Sequence, residues 1–335
     1  MRAVDIKNGK GPIDALFIND IPKPEIKPTE ALVKVKAFGI NRMDLFQREG
    51  NYPVPAGASR ILGVEFSGII DSVGPDAGDG FKIGDEVFGL TYGGAYAEYV
   101  AVPTKMLIHK PASLSWIDAA GLPEVWFTAL QAMYLVGRFK PGKSILWHAG
   151  ASGVSIAGIQ LSKAAQASAI YVTAGSDEKV TFCKSELGAT AGFNYRSEDW
   201  VEGIIKETEG KGVDTIIDYI GAGYFQGNLQ AAGLDGTIVN LAFLGGIELP
   251  AGVDISHFLR KRLRYEGSTL RSREPEYQGK LRDLFVERAL PGIEDKTFKV
   301  FVDRVFPMEQ IAEAHRLMES NQTKGKIICT IGDVQ

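Results

Sequence analysis

Between residues 143 and 162 the chain reads KSILWHAGASGVSIAGIQLS, an apolar run that ends in a turn of very small residues. Residues 144–148 have the composition of a buried strand, residues 149–153 form the turn, and a helix is expected to open near Val154. Such a turn suits one kind of chemistry. Small side chains let the main chain approach a pyrophosphate, and the free N–H groups of a helix N-terminus hold its charge. Ala151, Ser152, Gly153 and Val154 are the candidate phosphate contacts. No complete G-x-G-x-x-G is present, only Gly150 and Gly153 with Ala149, Ser152 and Ser155 around them. A glycine-rich turn alone serves many strand-to-helix connections. What strengthens the dinucleotide reading is a second strand expected over 168–173, followed by Ala174, Gly175 and Ser176.

That second strand also bears on which nicotinamide cofactor is used. Domains that prefer NAD commonly end it in Asp or Glu, which binds the ribose hydroxyls and repels a 2′-phosphate. Here the strand ends in small residues, Ser176 offers a hydroxyl donor, and Lys179 supplies a positive charge one helical turn later. NADPH is therefore expected over NADH. Asp177 runs against this and is read as a first-turn acid that favours its own helix dipole.

The remaining chemistry-bearing residues are sparse. His109, His148, His257 and His315 lie far apart without metal-ligand spacing and read as core or surface side chains. Cys183 and Cys329 are the only cysteines, too few for a disulfide framework or a thiolate zinc site, and they suit a reducing compartment. A net charge of −4 gives no general reason to expect nucleic acid. The basic run 260–264 (RKRLR) reads as a solvated helix end or as local steering of an anionic cofactor rather than an RNA contact. The N-terminus lacks the apolar core of a signal peptide, and no stretch approaches the roughly 18 apolar residues a membrane span needs. A cytoplasmic protein with no membrane partner is expected.

The elements that must position these residues fall into two classes. Residues 1–122 read mostly as β-structure with glycine and aspartate turns, including one around residues 74–80. Strands are expected at 31–38, 64–72, 86–89 and 95–102, with a helical turn through Gln47. From residue 144 to about 267, strands (144–148, 168–173, 191–193, 215–218, 236–241, 264–269) alternate with helices (155–165, 177–187, 200–208, 224–232). Helices are also expected at 115–120, 126–134, 278–287 and 308–320, and a last strand at 326–331. The fold class is α/β. A doubly wound parallel sheet (residues 123–269) accompanies a β-rich domain (residues 1–122, completed by 270–335), with the ligand cleft between domains.

Motifs along nearly the whole chain carry a family resemblance: GINRMD (39–44), YPVPAGAS (52–59), LGVEFSG (62–68), GDEVFGL (84–90), GGAYAEYVAVP (93–103), VTAGSDEK (172–179), LGATAGFNY (187–195), TLRSR (269–273) and GKI (325–327). The chain resembles the medium-chain dehydrogenase/reductase superfamily, in particular its zinc-independent quinone oxidoreductases, the zeta-crystallin-like group, and within it the p53-inducible type. The resemblance implies a GroES-like catalytic domain beside a Rossmann domain, hydride transfer from NADPH to a quinone substrate, and a homodimer or homotetramer. It also implies residue roles. Asn41 and Asp44 would lie near the nicotinamide, Tyr52 and Trp126 beside the substrate, and Thr128 on the nicotinamide side. Tyr195 would border the 2′-phosphate. Leu244 and Gly245 would approach the carboxamide, with Leu270, Arg271, Ser272 and Lys326 closing on the cofactor. Asn41 and Asp44 could equally be turn-makers, Trp126 plain core and Lys326 solvated. Ser155 stands where the family's last small glycine usually sits, and a modest packing adjustment is expected.

Zinc-dependent relatives place a Cys in the loop held here by Asn41 and Arg42, and a His beside the Glu of a G-H-E motif. Here that motif is Gly63-Val64-Glu65, and valine offers no ligand atom. No metal is expected, and alcohol oxidation of the zinc type is disfavoured. A quinone accepts hydride readily and its proton can come from water. Tyr52 is a weak candidate donor, an assignment that fails if Tyr52→Phe leaves turnover unchanged. Two other functions compete. One is an alkenal or enone double-bond reductase, which benefits from an oxyanion donor that nothing here marks. The other is a cofactor-binding protein with a structural or RNA-binding role.

Overall fold

The computed structural model describes residues 1–78 and 80–333, so one residue of the 74–80 turn and the last two of the 270–335 segment lie outside the described residues. The chain forms two compact units: Met1–Phe127 with Arg271–Gln335, and Thr128–Leu270.

The second unit is the doubly wound sheet. Its six parallel strands lie in the order Ala191–Asn194, Ala169–Ala174, Ser144–Trp147, Val213–Asp218, Ala232–Asn240, Arg264–Gly267. Numbered along the chain this is 3-2-1-4-5-6, the order in which ligands bind where the winding reverses, beside the first strand. Leu146, Ile216 and Ile238, from adjacent strands, share one buried cluster with Trp200 and Ile204 of the helix Trp200–Glu207. Strand 1 ends at the Ala149–Ser152 turn, and the helix Gly153–Ala164 follows one residue earlier than Val154.

In unit one the strand Glu30–Ile40 organises the sheet. Along one edge it pairs with Glu65–Val73. Its first half also pairs with Tyr99–Pro103 and its second half with Lys326–Thr330, which in turn pairs with Val302–Pro307. Glu86–Leu90 and Leu107–His109 extend the sheet, and Arg2–Ile6 and Leu16–Asp20 make a separate hairpin. The register does the positioning. Phe38 faces Phe66 and Ile327 faces Ile40, which brings residues 39–41, Glu65 and Lys326 to one place.

Several expectations need correction. The strand expected over 95–102 begins only at Tyr99. Gly93 and Gly94 adopt left-handed backbone, the N–H groups of Ala95 and Tyr96 go to Gly63 and Leu62, and Ala97 makes one bridge to Ala3. The helix expected over 126–134 starts at Pro123 and continues past Leu130 as a π-helical turn, Gln131–Val136. Proline suits the first helical position because the N–H it lacks would have no partner there. In the expected helix over 308–320 the first turn is 3₁₀ (Met308–Gln310), before the α-helix Ile311–Glu319.

Candidate functional site

In unit two the turn has the form a dinucleotide needs. Ala149 takes a left-handed conformation (φ 48°), and the Gly150 N–H closes the turn on Thr173 O at 2.8 Å. Ser152 caps the helix by accepting from the Ser155 N–H, so the N–H groups of Gly153 and Val154 are first-turn donors without an intrahelical acceptor. Ser155 is fully buried, and its Oγ donates to His148 O at 2.7 Å. The hydroxyl that replaces the family's glycine is thus satisfied within the turn.

At the end of the second strand, Ser176 caps the helix Asp177–Ser185 by accepting from the Lys179 N–H. A Cβ at Gly175 would lie 2.7 Å from the Tyr195 hydroxyl, so glycine is what allows that phenol over the strand end. Asp177, the one discordant acid, accepts from Asn194 Nδ2 at 2.7 Å. The residues therefore fit a dinucleotide: a pyrophosphate cradle at one strand end, and a hydroxyl, a lysine and a tyrosine at the next. Leu244 and Gly245 follow strand 5, where their N–H groups bond to Tyr219 O and Ile220 O. Thr128 is half-buried and Leu270 is buried.

His148, the residue after strand 1, is core. Its Nε2 meets Asn228 Oδ1 at 2.7 Å and its Nδ1 meets Thr173 Oγ1 at 2.9 Å, beneath Trp200 and Tyr224. A carbonyl oxygen only accepts, so Nε2 carries the proton and Nδ1 accepts a hydrogen bond from the threonine hydroxyl. Burial lowers its pKa and keeps the ring neutral.

Unit one holds a second constellation, built by the sheet register. Lys326 is 5% exposed and Glu65 fully buried. The Lys326 ammonium donates to Glu65 Oε1 (2.5 Å), Asn41 Oδ1 (2.7 Å) and Ile40 O (3.0 Å), which uses all three of its protons. Glu65 Oε1 also accepts from Asn41 Nδ2 at 2.8 Å, and Oε2 from the Glu124 N–H at 2.9 Å. Gly39 makes room for this carboxylate, since a Cβ there would overlap it.

Asp44 lies beneath the cluster. It caps the helix Arg42–Glu49, accepting from the Asn41 N–H at 2.8 Å, and also accepts from the Tyr96 hydroxyl at 3.0 Å and the Gly63 N–H. Burial still raises its carboxyl to about 6. Tyr96 in turn meets His315 Nε2, while Arg48 Nη1 meets His315 Nδ1. A guanidinium only donates, so Nδ1 is the bare nitrogen and Nε2–H faces Tyr96. Burial and then Arg48 push His315 down to about 3, so the ring is neutral.

Four of the candidate side chains are buried within unit one. Lys326 spends all three of its donors within unit one. Arg271 is also buried: its Nε and Nη2 donate to Tyr92 O, its Nη1 donates to Gln47 Oε1, and its guanidinium lies 5.6 Å from the centre of the Tyr52 ring. Trp126 is 3% exposed and belongs to an aromatic core with Phe285 and Phe298. Asp44 is fully enclosed and shapes the loop from below. Ser272 is exposed. Glu124 went unseen in the sequence. Among the described residues its carboxyl has no ion-pair partner, and burial followed by the Glu65 charge raises it to about 8. The visible signal was a charged residue inside an otherwise apolar helix start, GLPEVWF.

Residues 27–112 match the alcohol dehydrogenase GroES-like domain and residues 153–287 the zinc-binding dehydrogenase family. A zinc-type alcohol dehydrogenase-like protein of Schizosaccharomyces pombe is 30% identical, with 93% of each chain covered. The chain belongs to the medium-chain dehydrogenase/reductase superfamily. Within it the chain is of the quinone-oxidoreductase type, with a GroES-like N-terminal domain and a Rossmann-like sheet. The crystal structure of Escherichia coli quinone oxidoreductase complexed with NADPH superposes with a TM-score of 0.85 at 26% identity, over 98% of this chain and all of that one. A crystal structure of an NAD-dependent alcohol dehydrogenase superposes equally well, at 0.85 and 32% identity, over 99% of this chain and all of that one. The chain is thus an oxidoreductase that uses a nicotinamide cofactor. No helix among the described residues is long and apolar enough to cross a membrane.

Proposed function

We propose that this chain reduces quinones, ortho-quinones foremost, with NADPH and without a metal. One observation carries the reading. The Glu65 carboxylate of the Gly63-Val64-Glu65 motif already holds a buried cation, the Lys326 ammonium, and its neighbour Val64 has no ligand atom. Such a site has no Lewis acid to polarise an alcohol or a simple carbonyl. It suits an acceptor electrophilic enough to take hydride without a metal.

When bound, the cofactor supplies the hydride. The chain's own residues orient the reactants, and orientation alone accounts for much of the rate in such transfers. Asn41 is fixed from both ends of its amide by Lys326 and Glu65, a rigid wall of the cluster. Tyr52 and the guanidinium beside it offer an aromatic face of the kind a planar dione stacks on. Ser176, Lys179 and Tyr195, with no acid at 174–175, support NADPH over NADH.

A homodimer formed through unit two is part of the proposal. The strand Arg264–Gly267 ends its sheet, and Ile247 (77% exposed), Ile255 (65%) and Leu259 (86%) precede it as large apolar side chains in the open. Two unpaired, buried cysteines agree with a cytoplasmic setting. The direct test is NADPH oxidation with phenanthrenequinone beside a panel of enals and enones. Rapid turnover with the quinone is expected. Turnover confined to the enones would replace quinone reduction by double-bond reduction.

A further inference from the structure

We propose that Glu124 gives the proton to the oxygen of the reduced acceptor. The inference rests on the quinone reading above and deepens it by naming the acid. Among the described residues no hydrogen bond or ion pair reaches this carboxyl, although Lys326 and Arg271 act on it through space. Glu124 opens the helix Pro123–Leu130, and its own N–H is bonded to Glu65 Oε2 at 2.9 Å, which ties it to the cluster. Lys326 has no proton left for it, because Ile40 O, Asn41 Oδ1 and Glu65 Oε1 take all three. Arg271 directs Nε, Nη1 and Nη2 to Tyr92 O and Gln47 Oε1.

The charges around Glu124 then decide its state. Three carboxyls (Asp44, Glu65 and Glu124) face two cations (Lys326 and Arg271), and the phenol of Tyr52 adds no charge. Asp44 receives three donors and Glu65 receives three, whereas no donor to the Glu124 carboxyl is found among the described residues. A carboxylate without donors beside another carboxylate retains its proton. The first-turn position pulls the other way, since a helix N-terminus favours an anion. Burial and the Glu65 charge outweigh it, and Glu124 is neutral up to about 8. Tyr52 is held above its ordinary value by burial and then by the Glu124 charge, and it stays a phenol throughout.

The step balances without a further reagent. Hydride from NADPH adds to the quinone as an electron pair and a proton, leaving NADP⁺ and a hydroquinone mono-anion. The Glu124 O–H bond breaks, its proton goes to the oxyanion, and one proton from bulk solvent restores the carboxyl.

The test compares wild type with Glu124→Gln, which keeps the shape and the backbone hydrogen bond. Infrared difference spectra of the cofactor-free chain are expected to show a carboxylic-acid C=O band at neutral pH that vanishes in Glu124→Gln and titrates near pH 8. With phenanthrenequinone, kcat of wild type should fall as pH rises past that value. In Glu124→Gln it should be lower by roughly tenfold to a hundredfold and lack that limb, with KM for NADPH unchanged. Glu124→Asp should recover part of the rate and the limb. A missing band at neutral pH overturns the proposal whatever acceptor the wild type reduces. So does a Glu124→Gln enzyme with wild-type kcat and pH profile. If wild type reduced only an enone, the quinone reading would fail, and the same comparison on the enone would decide the role of Glu124.

Discussion

Lys326 and Glu65 are buried as a pair, and burial makes each dependent on the other. Removing one partner leaves an uncompensated charge out of water, whereas removing both leaves a polar but neutral pocket. Lys326→Met is therefore expected to lower stability by about 3–5 kcal/mol in denaturant unfolding. Adding Glu65→Gln should recover a large part of that loss. Equal losses in the single and double variants would mean that the pair contributes through packing alone. In unit two, Ser176→Asp tests the cofactor assignment at one position. Aspartate is as good a helix cap as serine, so the fold is retained while a carboxylate is set where a 2′-phosphate is expected. Relative to NADH, kcat/KM for NADPH should fall by at least about tenfold, roughly 1.4 kcal/mol. An unchanged ratio would place the phosphate elsewhere.

At the scale of elements, the end of the second strand and the strand after the next helix act together, because Gly175 is the floor under the Tyr195 hydroxyl. Gly175→Ala would set a methyl group 2.7 Å from that oxygen and push the phenol aside. NADPH binding measured by fluorescence titration should weaken several-fold, with stability changed little. Retained affinity would show that Tyr195 does not border the cofactor. Elements also explain what could be read from the chain beforehand. The alternation of apolar strands and helices over 144–267 has two clear periods, and each Rossmann strand appears within a few residues of its expected position. The strands Arg2–Ile6, Leu16–Asp20, Leu107–His109 and Val302–Pro307 lie outside that alternation, which therefore does not mark them. The site divides in the same way. The cradle at 151–154 is local and legible in a single turn. The cluster of Asn41, Glu65, Glu124 and Lys326 draws on four distant segments, and only the register of Ile40 with Ile327 and Phe38 with Phe66 reveals it. The three acceptors of Lys326 belong to residues 40, 41 and 65, too far along the chain for any local pattern to reveal them.

For the whole molecule, two carboxyls of unit one, the buried Asp44 and the half-buried Glu124, set a pH dependence of stability. Asp44 is raised to about 6 and Glu124 to about 8, both above the ordinary carboxylate range. A carboxyl raised on folding favours the folded state at low pH, and that contribution is lost as pH climbs through the folded value. Between about pH 5 and about pH 8, wild type should therefore lose thermal stability that Glu124→Gln does not lose. Parallel melting profiles would contradict the electrostatic account. The second whole-molecule expectation concerns assembly: Leu259→Glu, at a side chain 86% exposed, should convert a dimer to monomers in sedimentation without changing the melting of the isolated chain. The central claim is NADPH-dependent quinone reduction with the Lys326 ammonium, and no metal, on Glu65. Its most direct test is the initial rate with phenanthrenequinone under NADPH and under NADH, after dialysis against a strong chelator and with zinc content measured. The account predicts full turnover in zinc-free protein with NADPH strongly preferred. Activity that disappears with zinc and returns when zinc is restored, or a preference for NADH, would contradict it.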